Sequence, residues 1–253
     1  MLRSLKTMLG YELRANDGEI GKVDDFLFDA VAWFVRYLVA DTGGWLTERQ
    51  VLLSALVLGW ADAESETFDV GLTMEQVEAS PPIERDMPVS RQMEAELHRH
   101  YHWVPYWQSP FPFTGTSAAV AARSIVPDVD EDEDEDEVQG DPNLHSVREV
   151  TGYHILATDG DIGHVEDFVV EDESWVVRYL VVDTGNWLPG KKVLLVPSWV
   201  QQVDWLERMV YIDLKRESIR NSPAFDPGAP VNRDYEERLY DYYGRRKYWE
   251  EPE

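Results

Sequence analysis

Two copies of one segment make up most of this 253-residue chain, and this duplication is the strongest constraint on its fold. The stretch from Gly10 to Phe26, "GYELRANDGEIGKVDDF", returns 142 positions later as "GYHILATDGDIGHVEDF" from Gly152 to Phe168. At the same offset "VRYLVADTGGWL" returns as "VRYLVVDTGNWL", and "LRSL" at Leu2 returns as "LHSV" at Leu144. About half of the positions in the central stretch are identical without a gap, which predicts two units of the same fold.

The repeat defines a first unit over residues 1–107 and a second over residues 144–253, each ending in a helical arm rich in aromatic residues. Residues 108–143 contain Pro, Ser and small residues, followed by the acidic block "DVDEDEDEDEV". Like charges at this density repel one another, which predicts a solvated, disordered linker. A cation site or an acidic docking segment is the alternative, although the block lacks the central glycine of an EF-hand calcium loop.

Charge and cysteine content exclude several classes of function. A formal charge of −26, from 49 acidic and 23 basic residues, repels nucleic-acid phosphates, so we expect no nucleic-acid partner. No cysteine is present, which rules out disulfides, thiolate nucleophiles and Cys-ligated zinc. The longest apolar run, Val51 to Trp60, is far shorter than the roughly 20 residues of a transmembrane helix. We therefore expect a cytoplasmic protein without a transmembrane segment.

Short apolar runs separated by turn residues predict a mainly β fold. Asp17-Gly18 and Asp159-Gly160 have the composition of two-residue type I′ hairpin turns. A second glycine three positions further on suits a β-bulge or a close approach of two backbones. The strand that contains "VRYLV" is apolar on both faces, as in the centre of a small closed sheet. The sequence predicts two small antiparallel β-barrels with short helices.

These motifs resemble the PRC-barrel family, named after the cytoplasmic domain of the H polypeptide of the photosynthetic reaction centre and found also in the C-terminal domain of the ribosome maturation factor RimM. The resemblance rests on "LRSLKTMLGYEL", "NDGEIGKVDDFLFD", "FVRYLVADTGGWL" and "FDVGLTMEQVEASP", with the same series in the second copy. The arms are similar to those of bacterial stand-alone and tandem members. The resemblance implies a β-barrel that has no cofactor and acts through protein contacts. It does not carry over the specific role of either protein, because fold alone does not fix function.

The two "DTG" motifs raise the alternative of an aspartic-protease-like hydrolase, in which Asp41 and Asp183 would share one catalytic site. Residues after each motif differ from that family, since Gly-Trp and Asn-Trp stand where Ser or Thr is usual. The other interpretation is a structural turn. The carboxylates of Asp41 and Asp183 would then accept backbone N–H groups, and Gly43 and Gly185 would end the strands.

Arg36 and Arg178 interrupt an otherwise apolar strand in each copy. One interpretation is a salt bridge to a neighbouring carboxylate. The alternative is an anchor for a protein partner, because arginine is enriched at binding hot spots.

The aromatic arms are the other candidate interaction sites. They could clamp the barrel that they follow, exchange with the sister barrel, or dock another protein. The candidate residues are Trp103, Tyr106, Trp107, Tyr243, Tyr248 and Trp249.

His98 and His102 are spaced i, i+4 in the first arm and, with Glu96, could form an open zinc site. The second copy has Tyr240 and Gly244 at the two histidine positions, so the unit does not require such a site. We therefore predict no metal.

The sequence as a whole predicts a non-enzymatic scaffold or adaptor with a protein partner and no cofactor. Intramolecular pairing of the barrels, homo-oligomerisation, and attachment to the inner face of a photosynthetic or other membrane through a partner remain open. The alternatives are the hydrolase and a structural or stress protein without a fixed partner.

Overall fold

The computed structural model describes residues 1–46, 49–81, 83, 91–103, 143–185 and 190–250. The chain forms two compact units, each assembled from separate segments of the sequence. The N-terminal unit contains Met8–Ser146 and Glu173–Trp175. The C-terminal unit contains Met1–Thr7, Val147–Asp172 and Val176–Glu253.

Strands are the main secondary structure. In the described part of the chain they are β1 (Leu2–Ser4), β2 (Glu12–Ala15), β3 (Gly18–Asp29), β4 (Phe34–Asp41), β5 (Gln50–Ser54), β6 (Leu58–Asp62), β7 (Thr67–Val70), β8 (Leu144–Ser146), β9 (His154–Ala157), β10 (Gly160–Glu171), β11 (Val177–Asp183), β12 (Lys192–Leu195), β13 (Val200–Asp204) and β14 (Met209–Ile212). The helices there are α1 (Leu5–Met8), α2 (Met74–Glu78), α3 (Arg91–Tyr101), α4 (Val147–Val150), α5 (Arg216–Asn221) and α6 (Arg233–Tyr243), with 3₁₀ turns at Gly43–Leu46, Ala55–Val57 and Pro197–Trp199.

The two units have sheets with the same strand order. In the N-terminal unit it is β5-β4-β3-β2-β7-β6, and in the C-terminal unit it is β12-β11-β10-β9-β14-β13. Most neighbours are antiparallel, but β2 pairs with β7, and β9 with β14, in parallel. The prediction of a purely antiparallel sheet was therefore wrong at this pair. Strands β7 and β14 follow several intervening strands in the sequence, and each runs in the same direction as the strand that it joins, β2 or β9.

Neither sheet closes into a barrel within the described residues. The two edge strands β5 and β6 follow one another in sequence, joined only by the 3₁₀ turn at Ala55–Val57, and Pro197–Trp199 has the same place between β12 and β13. Because only a few residues join the two edge strands, each sheet must curl so that its edges come close together in space. The predicted closed barrel is replaced by a curled, mixed sheet without a hydrogen-bonded seam.

The first hairpin of each unit turns one residue earlier than predicted. Ala15 pairs with Gly18, so the turn residues are Asn16 and Asp17, and neither has a positive φ. The turn is thus not type I′, which needs φ > 0 at both positions. Asp17 instead accepts a hydrogen bond from the backbone N–H of Met74 at the start of α2, at 2.7 Å.

The central strand of each unit is buried on both faces, as the sequence predicted. In β4, Val35 and Tyr37 on one face and Leu38 and Ala40 on the other have at most 1% of their surface exposed. Strand β11 shows the same pattern, with Tyr179 fully buried. The core of each unit therefore surrounds this strand.

The first strand of each sequence copy belongs to the sheet of the other copy. Strand β1 pairs antiparallel with β10 in the C-terminal unit, with Leu2 opposite Glu171. Strand β8 pairs antiparallel with β3 in the N-terminal unit, with Leu144 opposite Asp29. The structural units consequently differ from the sequence segments 1–107 and 144–253, because β-pairing assigns these two strands to the opposite unit. Almost all of the predicted linker at 108–143 lies outside the described residues.

A second crossing occurs at the tip between β10 and β11. Trp175 belongs to the N-terminal unit, where 5% of its surface is exposed. Its ring stacks on Phe26 and Phe68, with centroid distances of 6.0 and 5.9 Å. Its carbonyl accepts the backbone N–H of Val35 at 2.9 Å. A tryptophan from the second sequence copy thus completes the core of the first unit.

Candidate functional site

A buried polar cluster joins the arm of the N-terminal unit to its sheet. Helix α3 places Glu94 and His98 one turn apart on the same face, and both are buried. The hydroxyl of Tyr37 donates to Glu94 Oε1 at 2.8 Å and lies 2.9 Å from His98 Nε2. Since a hydroxyl has one proton, Nε2 is the donor in the second bond. His98 therefore bonds to the core tyrosine.

The rest of this arm packs on the same core. Trp103 stacks on Tyr101 at 4.2 Å, and both lie against a buried cluster that includes Leu52 and Leu97. His102, by contrast, is exposed at the end of α3 with a φ of 55°. The structure thus does not bring His98 and His102 to one face, and the described residues contain no group of three potential metal ligands. Tyr106 and Trp107 lie outside the described residues.

The C-terminal unit has the equivalent cluster around Glu236, which is 2% exposed. Its Oε1 accepts hydrogen bonds from Tyr179 Oη at 2.7 Å and from Tyr248 Oη at 2.9 Å. Arg233 forms an ion pair with Oε2 at 3.1 Å. Burial, assisted by Glu236, raises the pKa of Tyr179 far above its usual value. The carboxylate therefore fastens helix α6 and the C-terminal aromatic segment to the sheet.

Two arginines stack on the aromatic residues that end this arm. The guanidinium of Arg178 lies 4.1 Å from the ring centroid of Tyr248, and that of Arg233 lies 4.0 Å from Trp249. Trp249 also packs edge-on against Tyr240 at 5.2 Å. Such cation–π contacts contribute about 0.5–2 kcal/mol each. In the C-terminal unit, the arm clamps the sheet that it follows.

Tyr243 completes this clamp. Its ring lies 4.5 Å from that of Trp199, in the 3₁₀ turn between β12 and β13. Burial raises the pKa of Tyr243 to about 12. The arm thus covers the place where the two edges of the sheet come together.

Both strand arginines form ion pairs, which is the first of the two interpretations made from sequence. Arg36 contacts Asp29 at 2.8 Å, and Arg178 contacts Glu171 at 2.6 Å. Burial opposes the ionisation of Asp29, but the backbone N–H of Ala32 and the guanidinium of Arg36 outweigh it and hold the pKa of Asp29 below its usual value. Whether either arginine also contacts a partner stays a prediction.

Each aspartate of the DTG motifs accepts a backbone hydrogen bond inside its own turn. Asp41 Oδ1 accepts the N–H of Gly43 at 2.9 Å, and Asp183 Oδ1 accepts that of Gly185 at 2.7 Å. The following Thr184 hydroxyl donates to the carbonyl of Lys191 at 2.6 Å. These contacts are those of a strand-ending turn.

The same turns explain the second glycine of each copy. Gly21 and Gly163 lie at bulges with φ of 123° and 133°, and a Cβ atom there would overlap the carbonyl oxygen of Asp41 or Asp183. We expect Gly21→Ala or Gly163→Ala to lower the free energy of unfolding by about 3 kcal/mol or more, because backbone must move. Chemical denaturation measures this loss.

Gly10→Ala is the matched control. Gly10 also has a positive φ, 83°, but nothing lies within 4 Å of the added methyl group. Gly10→Ala should therefore lower the free energy of unfolding by about 1 kcal/mol, which is the cost of a positive φ in a residue with a side chain. Equal losses of stability for the Gly10 and Gly21 variants would show that a methyl group at Gly21 does not collide with the backbone of the turn.

Burial, followed by the charge of Glu236, raises the pKa of Tyr248 to about 12. The unfolded chain ionises this tyrosine near pH 10, whereas the folded chain holds its proton longer. The stabilisation should therefore be complete below about pH 10 and disappear as the pH rises to about 12. Urea midpoints followed by circular dichroism across this window should fall less steeply for Tyr248→Phe than for the unchanged chain.

The hydrogen bonds that hold the exchanged strands were not predicted from the sequence. Ser4 Oγ donates to Asp167 Oδ2 at 2.5 Å, and Ser146 Oγ donates to Asp25. Both aspartates are 8% exposed, and burial raises the pKa of Asp167 although hydrogen bonds from Ser4 and backbone N–H groups oppose this. The sequence does contain an indication of these bonds, because the serine and the aspartate both recur at the 142-residue offset.

The fold and its site thus define a small curled β-unit with a clamped aromatic arm and an exchanged first strand. A PRC-barrel domain is present at residues 142–219. This range starts two residues before β8 and is continuous in sequence, but its residues are divided between the two structural units. A comparison with curated proteins finds no match. Among the described residues, no helix is long and apolar enough to cross a membrane.

Proposed function

We propose that this chain is a tandem pair of PRC-type units that serves as a non-enzymatic scaffold or adaptor for a protein partner. The observation that carries the proposal is the PRC-barrel domain at residues 142–219, which suggests an interaction module. The N-terminal unit supports a duplication, because its sheet has the same strand order and its residues recur at the same offset.

The contacts of the acidic residues support a non-catalytic role. Asp41 and Asp183 hold turns, while Glu94 and Glu236 hold core tyrosines. Each of these carboxylates thus has a structural use in its own unit. A hydrolase would need two of them at a shared site, free to exchange protons with substrate.

The charge of the chain indicates the chemistry of the partner. With 49 acidic and 23 basic residues, the chain attracts a protein that has a basic face. In the "GRRKYW" segment, Arg245 lies 3.8 Å from Asp213, and Lys247 lies 3.0 Å from Asp241. These local pairs reduce the attraction that the segment would exert on anions. Binding to a basic partner should weaken as salt screens the opposite charges.

Affinity capture of the full chain from native extract, through a C-terminal tag, tests the proposal. We expect a stoichiometric protein partner at low salt and a smaller yield at about 0.5 M salt. A variant in which Ser and Gly replace the acidic residues 130–137 separates binding by that segment from binding by the units. Separate capture from cytosolic and membrane fractions shows where the partner lies.

Two results would contradict the proposal. The first is repeated absence of any stoichiometric partner under mild conditions. The second is cleavage of denatured protein at acid pH that Asp41→Ala and Asp183→Ala both abolish, since this would establish the hydrolase.

A further inference from the structure

The exchanged strands are seated by the same chemistry in both units. Each is an antiparallel three-residue strand whose serine hydroxyl bonds to a buried aspartate on the long strand beside it. In the C-terminal unit, the backbone N–H of Lys6 adds a bond to Asp167 at 2.9 Å. Arg3 adds an ion pair with Asp172 at 2.7 Å. The groove therefore selects a short strand with a serine at one position.

The two first strands share the serine that bonds to aspartate, but the sites that receive them differ at one position, because Ala30 stands where the C-terminal unit has Asp172. Leu2–Ser4 reads "LRS" and Leu144–Ser146 reads "LHS", and the receiving strands β3 and β10 carry aspartate at equivalent positions. Each copy could therefore complete its own sheet, yet the structure has both strands exchanged. Self-pairing would keep the serine–aspartate bond but would place Arg3 near Ala30 instead of Asp172, so the exchanged pairing has one additional ion pair.

We propose that this exchange also occurs between chains, so that the first strand of one copy of this protein completes a sheet in a second copy. The partner is a second copy because its first segment carries the same Ser4, Lys6 and Arg3 that bond to Asp167 and Asp172 within one chain. Domain swapping of this kind adds no contact that the monomer lacks. The balance between monomer and dimer is then set by effective concentration, which favours exchange within one chain when protein is dilute.

Charge adds a second control over this balance. Two chains of −26 each repel one another at low ionic strength, and salt screens that repulsion. The dimer should therefore increase with both protein concentration and salt. Exchange between chains needs no outside partner, so it does not depend on the proposed adaptor role.

Two single-cysteine variants of the full chain test the exchange, in a protein that has no native cysteine. Leu2→Cys is mixed with Glu171→Cys, since these positions face each other in the β1–β10 pair. The two chains carry different C-terminal tags and are refolded together from urea at about 100 µM, where a weak dimer is populated. A glutathione buffer then lets disulfides reach equilibrium, and mass spectrometry identifies the linked peptides.

We expect a disulfide between Cys at position 2 of one chain and position 171 of the other, at least about tenfold above the control pair, because opposed cysteines have suitable geometry. The control combines Leu2→Cys with Leu206→Cys, an 88% exposed position in the turn after β13. Light scattering should show a dimer that grows at about 0.5 M salt. A monomer at all concentrations, or equal disulfide yields from the two mixtures, would overturn the proposal.

Discussion

Replacing Trp175 with alanine is expected to destabilise the N-terminal unit by about 3–5 kcal/mol, although Trp175 lies in the second copy of the sequence. The indole is 5% exposed and stacks on both Phe26 and Phe68, so its removal leaves a cavity between two core strands. The loss should appear as faster amide hydrogen exchange in β3 and β7. Strands β10 and β14 of the C-terminal unit should change less.

Trp33→Ala is the matched control for this substitution, because Trp33 is the equivalent residue of the first copy. Both tryptophans have a positive φ, 58° at Trp175 and 51° at Trp33, but Trp33 is only partly buried and stacks on Phe28 at 5.6 Å. Its replacement should cost less stability. Unchanged amide hydrogen exchange in β3 and β7 of the Trp175→Ala variant would show that the indole does not support the core of the N-terminal unit.

The second large effect is expected for Glu236→Ala, which should lower the free energy of unfolding by about 3 kcal/mol. The substitution leaves the hydroxyls of the buried Tyr179 and the partly buried Tyr248 without their acceptor, and it removes the ion pair of the half-exposed Arg233. Chemical denaturation measures the global loss. Proteolysis should also cut the C-terminal segment sooner, because Tyr248 and Trp249 lose their attachment.

Two further variants separate the hydrogen bonds from the charge. Glu237→Ala removes the neighbouring exposed carboxylate and should change stability by less than about 0.5 kcal/mol. Glu236→Gln keeps an oxygen acceptor for the tyrosines and should retain part of the stability. If Glu236→Ala and Glu237→Ala gave the same small loss, the buried cluster would not fasten the arm.

Much of each unit could be predicted from local sequence patterns. The double-sided apolar pattern of "VRYLV" identified the buried central strand, and the second glycine marked a bulge. The parallel pair could not be predicted, because alternation of polar and apolar residues does not reveal strand direction. The prediction of a closed barrel was wrong for a related reason. Hydrogen bonds between the two edge strands depend on how tightly the whole sheet curls, which local sequence patterns do not reveal.

The exchange of first strands could not be predicted because the serine and the aspartate that bond to each other are present in both copies. Ser4 bonds to Asp167 and Ser146 to Asp25, but serine and aspartate recur at these positions in both copies, so they alone do not determine which sheet a first strand joins. The Glu236 cluster was missed for a different reason. Its partner Tyr179 is 57 positions away, beyond any local period.

A pair of double-cysteine variants tests the exchange within one chain most directly. Leu2→Cys with Glu171→Cys places two thiols opposite each other in the exchanged β1–β10 pair, where Cβ atoms lie about 5 Å apart. In the exchanged structure Asp29 faces Leu144 of the second copy. Leu2→Cys with Asp29→Cys therefore places two thiols opposite each other only if the first strand pairs with its own copy. At low protein concentration, the account predicts a rapid intramolecular disulfide in the first variant and little in the second. The reverse result, a disulfide between positions 2 and 29 alone, would show that each copy completes its own sheet and would contradict the account.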